Sequence, residues 1–434
     1  MFEYRDLPED QRDIFHEYVS YAFSPQEGVS EYDPEEDDDP GIGSRRGLYG
    51  EGPDPLCVCL HYWFEARIRG GVHLVPGLSA VASPPENRRE GYVGRMIEGS
   101  LEEYRERGGR FAVLWPFDHG FYRRYGWAIA NKYATYELDP EELAFAAAAG
   151  GASGNYRRLT ADDYAVLEPV YAEHAGRYAL SLVRDEAWWR HRVFSSWTKD
   201  PFVCAWSRNG DLRGDDPRGD DPRGEDPQGD DPQGDDLRGD DLRGYLVYTI
   251  DGESGDRTMN VKEIAFCDHE AYLALLAFCH NHDSQVSSVK LTGPEGSRLL
   301  DIVPNPHEID CTIHTGPMVR IVDVTEALAA LSYPDRDARV VIDVADPIAD
   351  WNEGTFELVV KDGTASCDRI DDEPDASLDE TDASVDVGSL SQLAVGYRSA
   401  ADLEEAGDLE ASTEALRDLD ALFPRTDVYL GDVF

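Results

Sequence analysis

The stretch Leu78-Ser79-Ala80-Val81-Ala82-Ser83-Pro84-Pro85-Glu86-Asn87-Arg88-Arg89-Glu90-Gly91-Tyr92-Val93-Gly94 most constrains what this chain can fold into. Its apolar run ends in two prolines, which cannot continue a β-ladder. A charged turn follows. Val93, Met96, Ile97, Leu101 and Tyr104 then recur at helical spacing until Gly108-Gly109 stops them. The chain must pass from strand through turn to amphipathic helix, and residues 111–115 read as the next buried strand. Such a helix start presents unpaired N–H groups and a positive dipole end, which suits a pyrophosphate. Gly91 and Gly94 let the backbone come close to a ligand, and Arg88 and Arg89 can pair with phosphates.

The same order of elements recurs. Residues 1–150 open on an amphipathic helix (Ile14, Phe15, Tyr18, Val19, Ala22), then an acidic loop at 31–54, strands at 56–64 and 72–82, and the unit above. Residues 146–154, AAAAGGASG, read as a linker. Residues 151–315 give a helical start at 161–178, strands at 202–206, 245–250 and 261–266, a helix at 270–282 and a strand at 286–291. Two segments with one order imply a duplicated fold. The second copy has Phe266-Cys267-Asp268-His269-Glu270 at its turn, without glycines or arginines, so it is expected to be degenerate. Residues 316–434 give strands at 318–322, 340–344 and 356–360, a helix at 324–331 and a second acidic loop at 362–388. Within 208–244, glycines 214, 219, 224, 229, 234, 239 and 244 repeat every five residues between acidic tetrapeptides. This repeat has no apolar face to offset its ordering entropy, and it is expected to be disordered.

The formal net charge is −48, and only five of the 40 basic residues are lysine (Lys132, Lys199, Lys262, Lys290, Lys361). That balance argues against nucleic acid or an anionic membrane as the main partner. It suits multimolar salt, where the screening length falls to about 3 Å, and the chain reads as halophilic and cytoplasmic. The seven cysteines are scattered, as reduced thiols would be. No apolar run reaches the length of a membrane span, and Met1-Phe2-Glu3-Tyr4-Arg5-Asp6 has no signal-peptide pattern. Cys57 and Cys59 read as core residues. Cys279-His280-Asn281-His282-Asp283 lacks a second ligand pair, so no metal is expected.

Arg88-x-x-Gly91 resembles the acetyl-CoA motif of the GNAT superfamily, Gln/Arg-x-x-Gly-x-Gly/Ala, with Val93 replacing the second small residue. Leu114-Trp115-Pro116-Phe117-Asp118-His119-Gly120 leads into Phe121-Tyr122-Arg123-Arg124-Tyr125-Gly126-Trp127, a strand running into the Phe-Tyr-x-x-Tyr-Gly-Trp typical of such chains. Together with 318–324, 351–356 and 390–397, these residues narrow the resemblance to the Eis family over nearly the whole chain. The resemblance implies an α+β/α/β architecture. Tandem GNAT-like domains with mixed sheets flanked by helices would occupy 1–150 and 151–315, and a sterol-carrier-like α+β domain 316–434, with its C-terminus reaching the active site. It implies acetyl-CoA as cofactor and a hexamer. Backbone groups of Val81 and Ser83 would hold the pantetheine arm, with Arg88, Arg89, Gly91, Val93 and Gly94 at the pyrophosphate.

The implied reaction is direct acetyl transfer to a primary amine of a cationic small molecule or lysine side chain. Tyr122 would be general acid and the Phe434 C-terminal carboxylate general base. Without the resemblance, Tyr122 is as well read as a packed aromatic and Phe434 as a frayed end. A phenol with pKa near 10 can protonate a thiolate. An α-carboxylate at about 3.3–3.7 needs burial or a relaying water to act as base. The substrate cleft would include Phe23, His119 and Asp432, with His119 either lining the acceptor site or capping a turn. The alternative is a non-catalytic CoA- or lipid-binding protein that uses its sterol-carrier-like domain.

Overall fold

The computed structural model describes residues 2–27, 42–151, 154–196, 199–208, 242–370 and 381–434. Most of the pentapeptide repeat expected to be disordered at 208–244, and parts of both acidic loops, lie outside these residues. The chain begins with β1 (Glu3–Asp6), α1 (Arg12–Phe23), β2 (Ser44–Tyr49), β3 (Pro55–Ile68), β4 (Gly71–Ala82), α2 (Tyr92–Glu106), β5 (Phe111–Leu114), α3 (His119–Arg123) and β6 (Ala128–Ile129). It continues with β7 (Lys132–Leu138), β8 (Asn155–Leu159), α4 (Glu168–Ala175), β9 (Leu182–Val183), β10 (Phe202–Ser207), β11 (Leu242–Glu253), β12 (Asp256–Phe266), α5 (His269–His280), β13 (Ser288–Pro294) and β14 (Asp310–Thr315). Then follow β15 (Met318–Ile321), α6 (Val324–Ala330), β16 (Ala338–Ala345), β17 (Gly354–Lys361), β18 (Thr364–Arg369), β19 (Ala383–Asp386), α7 (Val387–Val395), α8 (Ala400–Ala406), β20 (Leu409–Ala411) and α9 (Thr413–Leu422).

Three mixed sheets result, as the expected α+β architecture requires. The first has the order β1-β2-β3-β4-β5-β15-β6, with β9 added on β3. The second is β14-β7-β13-β12-β11-β10-β8, and the third β18-β17-β16-β19-β20. Two compact units form: residues 1–133, 176–187 and 313–434, and residues 134–175 and 188–312. These limits differ from the sequence divisions at 150 and 315 because strands are exchanged. β7 precedes residue 150 yet belongs to the second sheet, while β15 follows residue 315 and lies between β5 and β6 of the first. The helical start expected at 161–178 is a 3-10 turn at Ala161–Val166 followed by α4. Pro169 explains the restart, because proline lacks an N–H and fits only the first turn of a helix.

In the first unit, α2 buries Met96, Ile97, Ser100, Leu101 and Tyr104. Its apolar residues join Cys57, Cys59, Leu78, Ala112, Leu114, Tyr122 and Trp127 in one core. In the second unit, α5 buries eight residues, Cys279 among them. There His280 Nδ1 lies 3.0 Å from the Pro140 carbonyl and His282 Nδ1 2.9 Å from the Phe278 carbonyl. Among the described residues no helix is long and apolar enough to cross a membrane.

Candidate active site

The site begins with irregularities in β4. Leu60 pairs with Ser79 and Val58 with Ala82, so Ala80 and Val81 together oppose Cys59. This is a β-bulge. It holds Ala80 at φ +48°, a left-handed conformation strained for a residue with a Cβ. On its other edge, β4 pairs with parallel β5 at only Gly77–Val113 and Leu78–Leu114. β5 ends there and β4 runs on to Ala82. Among the described residues, positions 79–82 therefore have no ladder partner on the β5 side, and their backbone groups are open to a ligand.

The turn after β4 is pinned from below. Asn87 Nδ2 donates to the Leu56 carbonyl at 3.0 Å, and Arg88 Nε to the Ser83 carbonyl at 2.9 Å. Arg89 and Gly91 take φ of +67° and +80°. A Cβ at Gly91 would meet nothing within 4 Å, so glycine serves the backbone angle there. α2 then starts with Gly91 at its N-cap and no side-chain cap. Its first N–H groups face outward beside exposed Arg88 and Arg89, with Val93 and Gly94 half-buried. A Cβ at Gly94 would come within 3.0 Å of the Tyr125 hydroxyl, so the small residue lets that ring lie against the helix. An uncapped helix start beside two exposed arginines fits a pyrophosphate.

Tyr122 lies on α3, whose N-terminus is capped by Asp118 accepting from the Phe121 amide at 2.7 Å. The side chain is 3 % exposed and packs edge-on to Phe117 and Phe121, with centroids 5.5 and 5.1 Å away. Burial pushes its phenol well above the ordinary value, and the Cys59 thiol acts in the same direction. The turn after it is seated on a buried ion pair. The Arg320 guanidinium of β15 donates to the Tyr125 carbonyl and, at 2.6 Å, to Asp346, both side chains being fully buried. Asp346 also accepts from the Ile348 and Ala349 amides and from Asn352 Nδ2. A Cβ at Gly126 would strike this guanidinium, which accounts for the glycine of Tyr-Gly-Trp. His119 Nε2 lies 3.3 Å from the Gly316 carbonyl, a contact that ties down its loop.

Residues 427–434 cross the same unit as an extended strap. The Tyr429 amide donates to the Ala179 carbonyl at 3.0 Å and the Leu430 amide to Asn131 Oδ1 at 3.0 Å. Leu430, Asp432 and Phe434 are buried, whereas Gly431 and Val433 are exposed, the period of an extended chain on a surface. The Phe434 ring meets Phe64 at 4.8 Å and Tyr62 at 5.6 Å. A Cβ on Gly77 would come within 2.8 Å of it. Leu78, the next residue of β4, shares the core with Tyr122. Neighbouring residues of a strand face opposite sides, so Tyr122 and Phe434 flank from either face the place where β4 and β5 part. Asp432 is buried and ion-paired with Arg184 at 2.8 Å, while Phe23 stands 59 % exposed at the end of α1, apart from these contacts.

Sequence reasoning passed over Ala80, Trp115, Asn131, Arg184 and Arg320. Ala80 carries no signal, since glycine is the residue expected at positive φ. Gly126 within Tyr-Gly-Trp was the visible sign that a bulky group passes close by.

Comparison with known proteins agrees with this organisation. Residues 3–130 and 235–321 each match the family described as acetyltransferase (GNAT) domain, and residues 324–431 match the sterol carrier protein domain. The N-acetyltransferase Eis of Mycobacterium tuberculosis is 26 % identical over 86 % of this chain and 84 % of its own length. The crystal structure of a probable N-acyltransferase from Enterococcus faecalis superposes with a TM-score of 0.81 at 20 % identity, covering all of both chains. That of Eis1 from Mycobacterium abscessus gives 0.71 at 22 % identity, again over both whole chains.

Proposed function

We propose that this chain, an acetyl-CoA-dependent N-acetyltransferase with tandem GNAT domains and a sterol-carrier-like domain, transfers acetyl to a primary amine of a cationic small molecule or lysine side chain. The observation that supports the reading is the bulge of β4 and its parting from β5, with Tyr122 in the core that holds Leu78 and the Phe434 ring beside Gly77. The pyrophosphate rests on the first turn of α2 with Arg88, Arg89, Gly91, Val93 and Gly94. The pantetheine arm takes the vacant edge of β4 at Val81 and Ser83, completing the ladder that β5 leaves unfinished.

Tyr122 stays protonated at any working pH because burial raises its pKa. Its hydroxyl donates to the departing sulfur, where negative charge develops as the C–S bond breaks. A thiol titrates near 8.5, below a phenol. The phenol therefore gives up its proton only as the attacking nitrogen loses one. The Phe434 carboxylate accepts that proton through a water, since direct capture is uphill for so weak a base. Once the amide has formed, the Phe434 carboxyl returns its proton through water to the Tyr122 phenolate, so both groups are reset and the net change is one N–H proton moved to sulfur. An amine of pKa about 10.4 is mostly charged at neutral pH, so turnover rises with pH until the amine is neutral. His119 and Phe23 are proposed to line the acceptor side.

The charge of −48 supports work in concentrated salt inside the cell. A hexamer is proposed from the resemblance to Eis proteins. The test is release of CoA thiol from acetyl-CoA in high potassium chloride over a panel of amines, comparing the native chain with Tyr122→Phe. Amine-dependent release that collapses in the variant supports the reading. Bound acetyl-CoA with no release for any amine counts against it.

A further inference from the structure

We infer that Arg184, with Trp115 and Asn131, forms a latch that holds residues 430–434 in place, and that Arg184 and Asp432 are positioning residues for the acyl transfer rather than part of the acceptor's binding surface. The inference rests on the proposed role of the Phe434 carboxylate. Asp432 stands in a cleft read as cationic-acceptor territory, and a free carboxylate there would suit that role. It is not free. Its Oδ1 accepts from Arg184 Nε at 2.9 Å and from the terminal guanidinium nitrogen at 2.8 Å. The two side chains are 3 % and 6 % exposed. A carboxylate so shielded and already paired offers little to an incoming amine.

The pair is placed to do something else. Arg184 directly follows β9, which is bound to β3 through Glu65–Val183 and Ala66–Leu182. It is therefore carried on the same sheet as the bulge. Trp115 directly follows β5, and its indole N–H donates to the Asp432 carbonyl at 2.7 Å. Asn131, itself buried, receives the Leu430 amide. Three anchors from three places on the sheet thus hold two alternate residues of the strap, and alternation then turns Phe434 inward against Gly77. The anchors end at Asp432, one residue before Val433, which is 53 % exposed. The last inward position is fixed by the latch and by the Phe434 ring. A catalytic group displaced by about 1 Å loses of the order of 10²-fold in rate, so a loosened strap would be felt in turnover while the α2 turn, which none of the three anchors contacts, keeps its ligand.

The experiment compares five proteins in high potassium chloride: native, Arg184→Met, Trp115→Phe, a chain lacking Phe434, and that shortened chain carrying Arg184→Met. Thermal melting and acetyl-CoA calorimetry accompany the kinetics. The expected result is a kcat lower by about tenfold or more in Arg184→Met, a smaller loss in Trp115→Phe, and acetyl-CoA affinity within about twofold of native. In the chain lacking Phe434, Arg184→Met should lower kcat no further, because the group it positions is gone. If removing Phe434 leaves kcat intact, the carboxylate reading fails and the latch with it. If removing Phe434 abolishes turnover while Arg184→Met and Trp115→Phe match native, the base stands and the latch is refuted. A loss in Arg184→Met that appears as a raised amine KM at native kcat returns Asp432 and Arg184 to the acceptor surface. Should Arg184→Met fail to fold, Trp115→Phe decides by the same readouts, since it removes the N–H donor and keeps an aromatic, though smaller, side chain.

Discussion

Two helices of this chain occupy the same place in two copies of one β-α-β unit, and only the first is left open. α2 follows β4 and leads to parallel β5; α5 follows β12 and leads to parallel β13. Before α2 the chain spends residues 83–91 on a turn with two left-handed positions and supplies no cap. Before α5 it has a tight corner at Cys267-Asp268, and Asp268 accepts from the Ala271 amide at 2.9 Å. Arg243 and Arg208 bind the other oxygen of that carboxylate. Although burial opposes ionisation, the Ala271 amide and Arg243 hold Asp268 below the usual carboxylate range. The second copy has satisfied its own helix dipole. The partings differ as well: β12 and β13 stay paired over Thr258–Ser288 to Val261–Leu291, twice the extent of β4 and β5. The ligand site proposed for the first copy is a matter of bonds withheld from the fold.

The sharpest test of the difference is chemical. Tyr122→Phe should lower kcat by about 10²–10⁴ with little change in acetyl-CoA affinity; unchanged turnover would leave the first copy without its acid. Next, Gly91→Asp gives α2 the carboxylate cap that α5 has. Acetyl-CoA should bind at least about tenfold more weakly, with Gly91→Asn, which tolerates positive φ without the charge, losing less. Equal affinity in Gly91→Asp would mean the pyrophosphate lies elsewhere. Calorimetry should count one acetyl-CoA per chain, and Asp268→Gly should not add a second. That substitution should cost roughly 1–2 kcal/mol of stability in thermal melts, from the lost cap and ion pairs. A second binding event would erase the distinction drawn between the copies.

The smallest effect concerns pH. His61 is fully buried beside Ser100, and burial lowers its pKa despite Glu103 nearby, with Arg46 and Arg107 acting alongside burial. Burial likewise lowers His73, with Arg110 adding to it. A histidine whose folded pKa is depressed contributes stability above the unfolded value of about 6.5, and that contribution is lost as pH falls through the window below it. Melting temperature should decline from about pH 6.5 downward in constant salt, and His61→Phe should flatten part of that slope. An unchanged slope would show that His61 has no share in the acid sensitivity.

What the sequence made legible followed from periodicity and punctuation. The strand, turn and helix from Leu78 to Tyr104 were readable because prolines, glycines and a 3.6-residue apolar stripe fall where the backbone needs them. Phe-Tyr-x-x-Tyr-Gly-Trp pointed to Tyr122 through family likeness, since composition cannot tell a catalytic phenol from a packed one. The bulge at Ala80 was hidden because it breaks a local preference, and such breaks show only once neighbouring strands fix the register. Arg184 and Arg320 were hidden because their partners, Asp432 and Asp346, are distant in sequence, and no local pattern announces a pair formed by folding.

The place of β15 has a consequence for how the molecule comes into being. Met318 pairs with Leu114 on one side and Ile129 on the other, so an interior strand of the first sheet is supplied late in the chain. A nascent polypeptide that has emerged only as far as α3 and β6 has a gap where β15 belongs, and β5 exposes an open edge. Closing it requires a long-range encounter, which slows folding and leaves a sticky intermediate in the meantime. Residues 1–150 expressed alone would carry β5 and β6 and still lack the strand that joins them, so the first sheet cannot be cut away as a self-standing piece.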